Sequence, residues 1–384
     1  MTGQEVSTAA AGSPPWNAWL RRAGQAVTFR RIGAVYVLVL ISIGFSFWAP
    51  DTFPTYATVK QVLDGNAVIA LAALALIVPL STGVFDISSV YTMSLSGVLT
   101  AYIVIHTDLP LGVAIAAALG ASALVGVVNG IVVVTMRIES LIGTLATGSL
   151  IQAFITLVTK DQSLNSAKLV GTFAKLAGGD IGGFNYPVFY ALGVALVLWL
   201  VLEHAVVGRR LYATGFNKDA ARLAGIHTAR LQFASLVVSA TLAGAAGIVL
   251  ASSIGAGSPT AGSPYLLSSF AAVFLGATQF KEGRFNAWGT LLAVTVLGVG
   301  TTGLGLAGAA PWTGSMFTGV VLITALAVTG VQRRSGVAAR RWRLVGRRST
   351  ASVDPPQDGS RDRSEAALDV GLGLRSDDLL NERA

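Results

Sequence analysis

The chain has 384 residues, 53% of them hydrophobic and only 12% charged. Soluble domains carry roughly 25% charged residues, so this chain lacks the polar surface to cover itself in water and is expected to be an all-α polytopic membrane protein with no soluble catalytic domain. The net charge of +8 points to cytoplasmic loops rather than to nucleic acid. Cysteine is absent, which excludes disulfides and thiol chemistry, and His106, His204 and His227 are not at metal-ligand spacing.

In chain order, residues 1–31 are polar and end in Arg21, Arg22, Arg30 and Arg31, without the pattern of a cleaved signal peptide. The apolar run 32–48 is therefore read as a retained span. Nine more runs follow, at 65–80, 87–105, 111–134, 141–158, 186–207, 231–254, 266–280, 287–306 and 316–331, two of them short. Residues 32–331 form the expected transmembrane domain. The segment 332–384 starts basic and continues as a polar tail without apolar periodicity, read as disordered and cytoplasmic.

Charge orients the spans. Alternating the turns from an inner N-terminus puts Arg21, Arg22, Arg30, Arg31, Arg137, Arg209, Arg210, Lys218, Arg222, Arg230, Lys281, Arg284 and the arginines of 333–348 inside. Only Lys60, Lys160, Lys168 and Lys175 fall outside. This asymmetry follows the positive-inside rule and collapses if one span is dropped, so about ten helices with both termini cytoplasmic are expected.

Charges at bilayer depth are the first place to look for function. Asp86 lies in S-T-G-V-F-D-I-S-S between the second and third runs, where Gly83 and Ser88 suggest a chain break. Its carboxylate is read first as a helix cap and second as a solute ligand or proton relay. Ion-coupled carriers place several acids along their path, and here the runs are almost free of them. No G-x-x-x-x-G-K-[ST] loop is present, so ATP energy would have to come from a separate subunit. In the long basic loop, 219–225 (D-A-A-R-L-A-G) reads as a short helix with Asp219 favouring its start and Gly225 ending it. Such a helix could enter a partner's groove or rest on lipid headgroups.

D-A-A-R-L-A-G resembles the coupling-helix pattern E-A-A-x-x-x-G of bacterial ABC importer permeases, with Asp219 in place of Glu. The stretch G-F-N-K-D-A-A-R-L-A-G-I, the segments S-P-T-A-G-S-P-Y-L-L-S-S and G-R-F-N-A-W-G-T, and G-V-F-D-I-S and G-V-V-N-G-I-V-V-V are similar to the ribose-type monosaccharide branch of the branched-chain amino acid/sugar permease superfamily. An acidic residue usual after P-T-A-G is absent, Ser268 and Ser269 lying near its place.

The resemblance implies an ABC importer permease fold in a bacterial inner membrane and no cofactor in this chain. It also implies ATP hydrolysed by a partner ABC subunit, a periplasmic or lipid-anchored sugar-binding protein docking on outer loops including 160–185 and 255–264, and a second permease copy. Asp219, Ala220, Ala221, Arg222 and Gly225 would couple to the ATPase. Asp86, Ser88, Asn129, Thr144, Thr260 and Ser268 are the pathway candidates. Gly126, Gly130, Gly143 and Gly148 are spaced for close helix packing. Ser89, Tyr91 and Ser94 share their spacing with Ser263, Tyr265 and Ser268, which would suit an inverted repeat. The rivals are a branched-chain amino acid permease and an ion-coupled carrier.

Overall fold

A computed structural model describes residues 33–280 and 283–328. The expectations for 1–31, for residue 32, Lys281, the end of the tenth run and the tail 332–384 lie outside the described residues. Helices α1 (Gly33–Trp48), α2 (Tyr56–Ser81), α3 (Ser89–His106), α4 (Leu111–Gly130), α5 (Ser140–Thr159) and the four-residue α6 (Lys175–Gly178) make the first half. After them come α7 (Tyr186–Trp199), α8 (Val206–Phe216), α9 (Lys218–Leu223), α10 (Thr228–Ile254), α11 (Tyr265–Ala277), α12 (Ala287–Leu306) and α13 (Trp312–Val328). Seven of the described helical segments are long and apolar enough to cross a membrane. The other three apolar helices, α1, α11 and α13, are shorter.

Several boundaries depart from hydropathy for local reasons. The second run was expected to start at 65, but α2 starts at Tyr56 because the Thr55 hydroxyl accepts the Thr58 N–H at 3.2 Å. Lys60 and Asp64, one turn apart at 2.9 Å, carry its polar first turns. The expected span 186–207 is two elements. Helix α7 passes into a π-turn, Leu200–His204, and the chain then turns extended at Ala205 (ψ 155°) before α8. Helix α11 ends at Ala277, three residues early, where Asn286 Nδ2 donates to the Gly276 carbonyl at 3.2 Å and to the Gln279 carbonyl at 3.3 Å.

Helix α10 lies at the centre, packed on α4, α3 and α2, while α2 also meets α12, α11 and α7. Small residues permit this approach. A Cβ on Gly126 would stand 2.5 Å from Val237 Cα, and one on Gly130 or Gly148 would stand 2.5 Å from the ring of Phe233 or Tyr91. Gly143 is less tight, at 3.0 Å from Val132. These four glycines therefore serve close packing.

Two non-helical features matter for function. A hairpin, β1 (Asp180–Ile181) and β2 (Phe184–Asn185), is the only sheet among the described residues. It is tied to α2, because Asp64 Oδ1 accepts the Asn185 N–H at 2.9 Å and Lys60 Nζ donates to the Gly183 carbonyl. Residues 255–264, expected among the outer loops, run along α3. Gly257 pairs with Leu164, and the Gly262 N–H donates to Ser94 Oγ at 3.0 Å. The chain is held there because a side chain on Gly262 would strike the Val90 carbonyl. The start of α3 and the chain leading into α11, the two places with the shared Ser/Tyr/Ser spacing, thus lie against one another.

Candidate coupling site and buried polar hub

Helix α8 ends and α9 begins at the same residue, Asn217, whose Oδ1 accepts the Ala220 N–H at 2.9 Å. The cap is Asn217, and Asp219 sits in the first turn, where its charge favours the helix start as expected. Asn217 caps because its extended backbone (φ −157°) lets its amide reach forward to the third N–H of the helix. Gly225 stops the helix as the sequence suggests: its φ of +78° is left-handed, and its N–H returns to the Arg222 carbonyl at 3.0 Å. Of the coupling candidates only Ala221 is buried, while Asp219, Ala220, Arg222 and Gly225 face outward. Leu223 is 91% exposed and Phe216 65% exposed. Two large apolar side chains flank the helix where charge surrounds them. Beside it opens a cleft of about 980 Å³ lined by Arg137, Glu139, Lys218, Asp219, Arg222 and Arg230, with Gly83 and Gln232 also on its wall.

The segment between α2 and α3, residues 82–88, forms a buried polar hub. Asp86, wholly buried, accepts the Ser88 hydroxyl on Oδ1 at 2.7 Å and the Ser239 hydroxyl on Oδ2 at 2.8 Å. Asn129 Nδ2 donates to Ser88 Oγ at 2.6 Å. The Thr144 hydroxyl accepts the Ile87 N–H at 3.0 Å, and Ser140 Oγ accepts the Phe85 N–H at 3.2 Å. Thr82 Oγ1 lies 3.2 Å from Ser235 Oγ, and Gln232 Nε2 donates to the Thr82 carbonyl at 3.3 Å. One short segment is thereby bonded to α4, α5 and α10.

Four pathway candidates, Asp86, Ser88, Asn129 and Thr144, thus come together. Thr260, exposed, and Ser268, half-buried, do not join them. The residue preceding α3 is Ser88, with no side-chain cap bond, while the Asp86 carboxylate takes backbone N–H bonds from Ser88 and Ser89 at the start of α3, as the expected cap would, in addition to the two hydroxyls. Gln232, Ser235, Ser239 and Ser140 were not singled out from sequence. A signal existed, since 232, 235 and 239 are spaced three and four apart and so mark one polar stripe on an otherwise apolar helix.

On its other side, α8 is anchored to the chain before α12. The Tyr212 hydroxyl donates to the Phe285 carbonyl at 2.5 Å, and the Arg284 guanidinium stacks 3.9 Å from the Tyr212 ring centre. Burial pushes the phenol up to about 12, outweighing the Arg284 charge that pulls it down. Because the folded value lies above the usual 10, the bond's contribution is complete below pH 10 and is lost as pH rises toward 12. Tyr212→Phe should cost about 1 kcal/mol at neutral pH. The difference in melting temperature from wild type should shrink above pH 10, as read by scanning fluorimetry in detergent, and a gap unchanged to pH 12 would contradict this anchorage.

The comparisons with known proteins bear on the whole of this architecture. Residues 61–326 match the family model described as branched-chain amino acid transport system / permease component. The chain is 31% identical over 299 residues to the ribose import permease of Escherichia coli strain K12, covering 77% of this chain and 91% of that protein. It is 29% identical over 299 residues to the fructose import permease of Rhizobium meliloti, covering 76% and 83%. With the L-arabinose transport system permease of Escherichia coli strain K12, identity is 27% over 329 residues, covering 84% and 95%. The hub, the exposed α9 and all the helices from α3 to α12 lie within the matched region, and the chain belongs to the branched-chain amino acid transport system / permease component family, as the membrane-embedded transport component of an ABC importer rather than an enzyme.

Proposed function

We propose that the chain is the permease of a bacterial monosaccharide importer, delivering across the inner membrane a sugar handed over by an external binding protein. ATP is hydrolysed by a separate subunit that grips α9, and two permease copies enclose one path, with both termini cytoplasmic. The observation that carries this reading is a six-residue helix with one buried residue, presented beside a charged cleft and flanked by exposed Leu223 and Phe216. A helix so short has little stability of its own, and one that leaves large apolar side chains uncovered suits a partner's groove. The naming of three relatives as ribose, fructose and L-arabinose permeases supports a sugar. Most of the hub's buried polar side chains are bonded to one another, Asn129 Oδ1 excepted, which leaves specificity mostly to the binding protein.

The test is affinity purification of the detergent-solubilised chain from its native membrane, followed by uptake of radiolabelled D-ribose, D-fructose and L-arabinose into proteoliposomes. A Walker-motif subunit should co-purify with wild type, and uptake should require ATP. Gly225→Val, strained at φ +78° by about 1–2 kcal/mol, should leave insertion intact and uncouple hydrolysis from uptake. Uptake that proceeds without an ATPase and collapses with the ion gradient would instead favour an ion-coupled carrier.

A further inference from the structure

We infer that Gly215 and the segment 82–88 form the relay that carries motion of α9 into the membrane interior, with Gly215 as a positioning residue. The inference rests on the importer reading and adds to it the route by which the ATPase acts. Gly215, on the last turn of α8, lies directly on the backbone of the hub segment. A Cβ there would overlap the Ser81 carbonyl oxygen and stand 3.0 Å from its carbon and 3.3 Å from the Gly83 nitrogen. Gly83 answers from the other side with φ +80°, its own Cβ position 3.7 Å from Gly215 Cα. Backbone meets backbone at this point, with no flexible side chain to absorb a displacement. On the outer side of the contact, α8 joins α9 through the single residue Asn217. On its inner side, the segment is bonded at Thr82, Phe85, Asp86 and Ile87 to α10 and α5, and at Ser88 to α4. A shift of α9 therefore reaches α4 and α5 through this contact, and α10 both through it and directly, since residues 224–227 join α9 to α10 and the two helices pack together.

The same helix reaches a second inner turn. Tyr212, one turn before Gly215, holds the Phe285 carbonyl. Phe285 packs edge-on against Phe274 at 5.6 Å, and Phe274 stacks on Phe85 at 6.3 Å. The two inner turns are thus joined by aromatic rings behind α8, and a displacement delivered at Gly215 moves them as a unit.

The experiment measures sugar taken up per ATP hydrolysed in proteoliposomes holding the co-purified complex, using whichever of the three sugars wild type transports. Gly193, whose Cβ position meets nothing within 4 Å, supplies the control Gly193→Ala. Gly215→Ala should keep its ATPase through purification, hold its basal hydrolysis and lose about tenfold in uptake per ATP, within the range by which substitutions along a coupled network act. Gly193→Ala should match wild type. Should Gly215→Ala fail to assemble, Thr82→Val is read in its place. It removes the hydroxyl facing Ser235 and should lower the ratio about threefold without changing the melting temperature by more than a few degrees. A complex carrying either variant that couples as wild type overturns the relay and leaves the importer standing. A wild-type chain with which no ATPase co-purifies overturns both.

Discussion

Gly247→Val is expected to leave almost no folded protein. Gly247 lies in the second half of α10 where that helix crosses α3, and a Cβ there would overlap both the Met93 carbonyl oxygen and Ser96 Oγ, with the Met93 carbonyl carbon 2.6 Å away. The obstacle is largely backbone, so no rotamer change relieves it, and the two central helices must separate. Ser96 also donates to the Gly244 carbonyl at 2.8 Å, one turn earlier, and that bond would be lost as the helices part. Overpacking a dense core costs about 1–3 kcal/mol where neighbours can yield, and more where they cannot. The sign is informative because Gly→Ala in a free helix interior gains about 1 kcal/mol. Gly120, in α4 with nothing within 4 Å of its Cβ position, supplies the comparison. Gly120→Ala should melt at or above the wild-type temperature, whereas even Gly247→Ala should melt well below it. Equal melting of Gly247→Ala and wild type would mean that α3 and α10 are not in contact here.

Asp86→Ala is the second large effect. It removes the acceptor of two buried hydroxyls, leaving Ser88 and Ser239 with donors that no water can reach. Each orphaned buried donor costs about 1–3 kcal/mol, and two are left, so a loss of several kcal/mol is expected. Asp86→Asn should cost only about 1 kcal/mol, because one hydroxyl still finds an oxygen and the other can turn to accept from the new amide. Melting and uptake of the two variants separate the roles. A stable Asn variant that transports assigns Asp86 to bonding, whereas a stable Asn variant that transports nothing would return the carboxylate to the solute or proton path.

The sequence was most legible where a long apolar run alone defines an element. The runs near 111–134, 141–158, 231–254 and 287–306 become α4 with the π-turn Ile131–Thr135 that follows it, α5, α10 and α12, with ends moved by only a few residues. It was less legible where capping or backbone contact decides. The first turns of α2 carry Lys60 and Asp64 and look like a loop by hydropathy, yet Thr55 and the pair itself make them helical. The chain at 255–264 has a loop's composition, and its lie along α3, permitted by Gly257 and Gly262, is not visible in that composition. Within the hub, Asp86 was visible as a rare buried acid and Asn129 as an amide in an apolar run. Ser235 and Ser239 were not, because serine is common in membrane helices and only its spacing on α10 distinguishes it. The coupling candidates were legible as a string, while their cap depended on the extended backbone at Asn217.

The tie between the β-hairpin and α2 has a mechanical consequence. Helix α2 runs 26 residues, about 39 Å, and is clamped to the hairpin near one end through Lys60 and Asp64. Its other end, Ser81, bears on Gly215. It is a strut loaded at both tips, and a stiff strut transmits a push in either direction without rearranging its middle. Its one compliant joint is Pro79, which lacks the N–H to close the last turn and stands two residues from the inner tip. A torque applied at the hairpin is expected to bend the helix at Pro79, next to the segment that holds Asp86, so that the hairpin and the hub share a single lever arm.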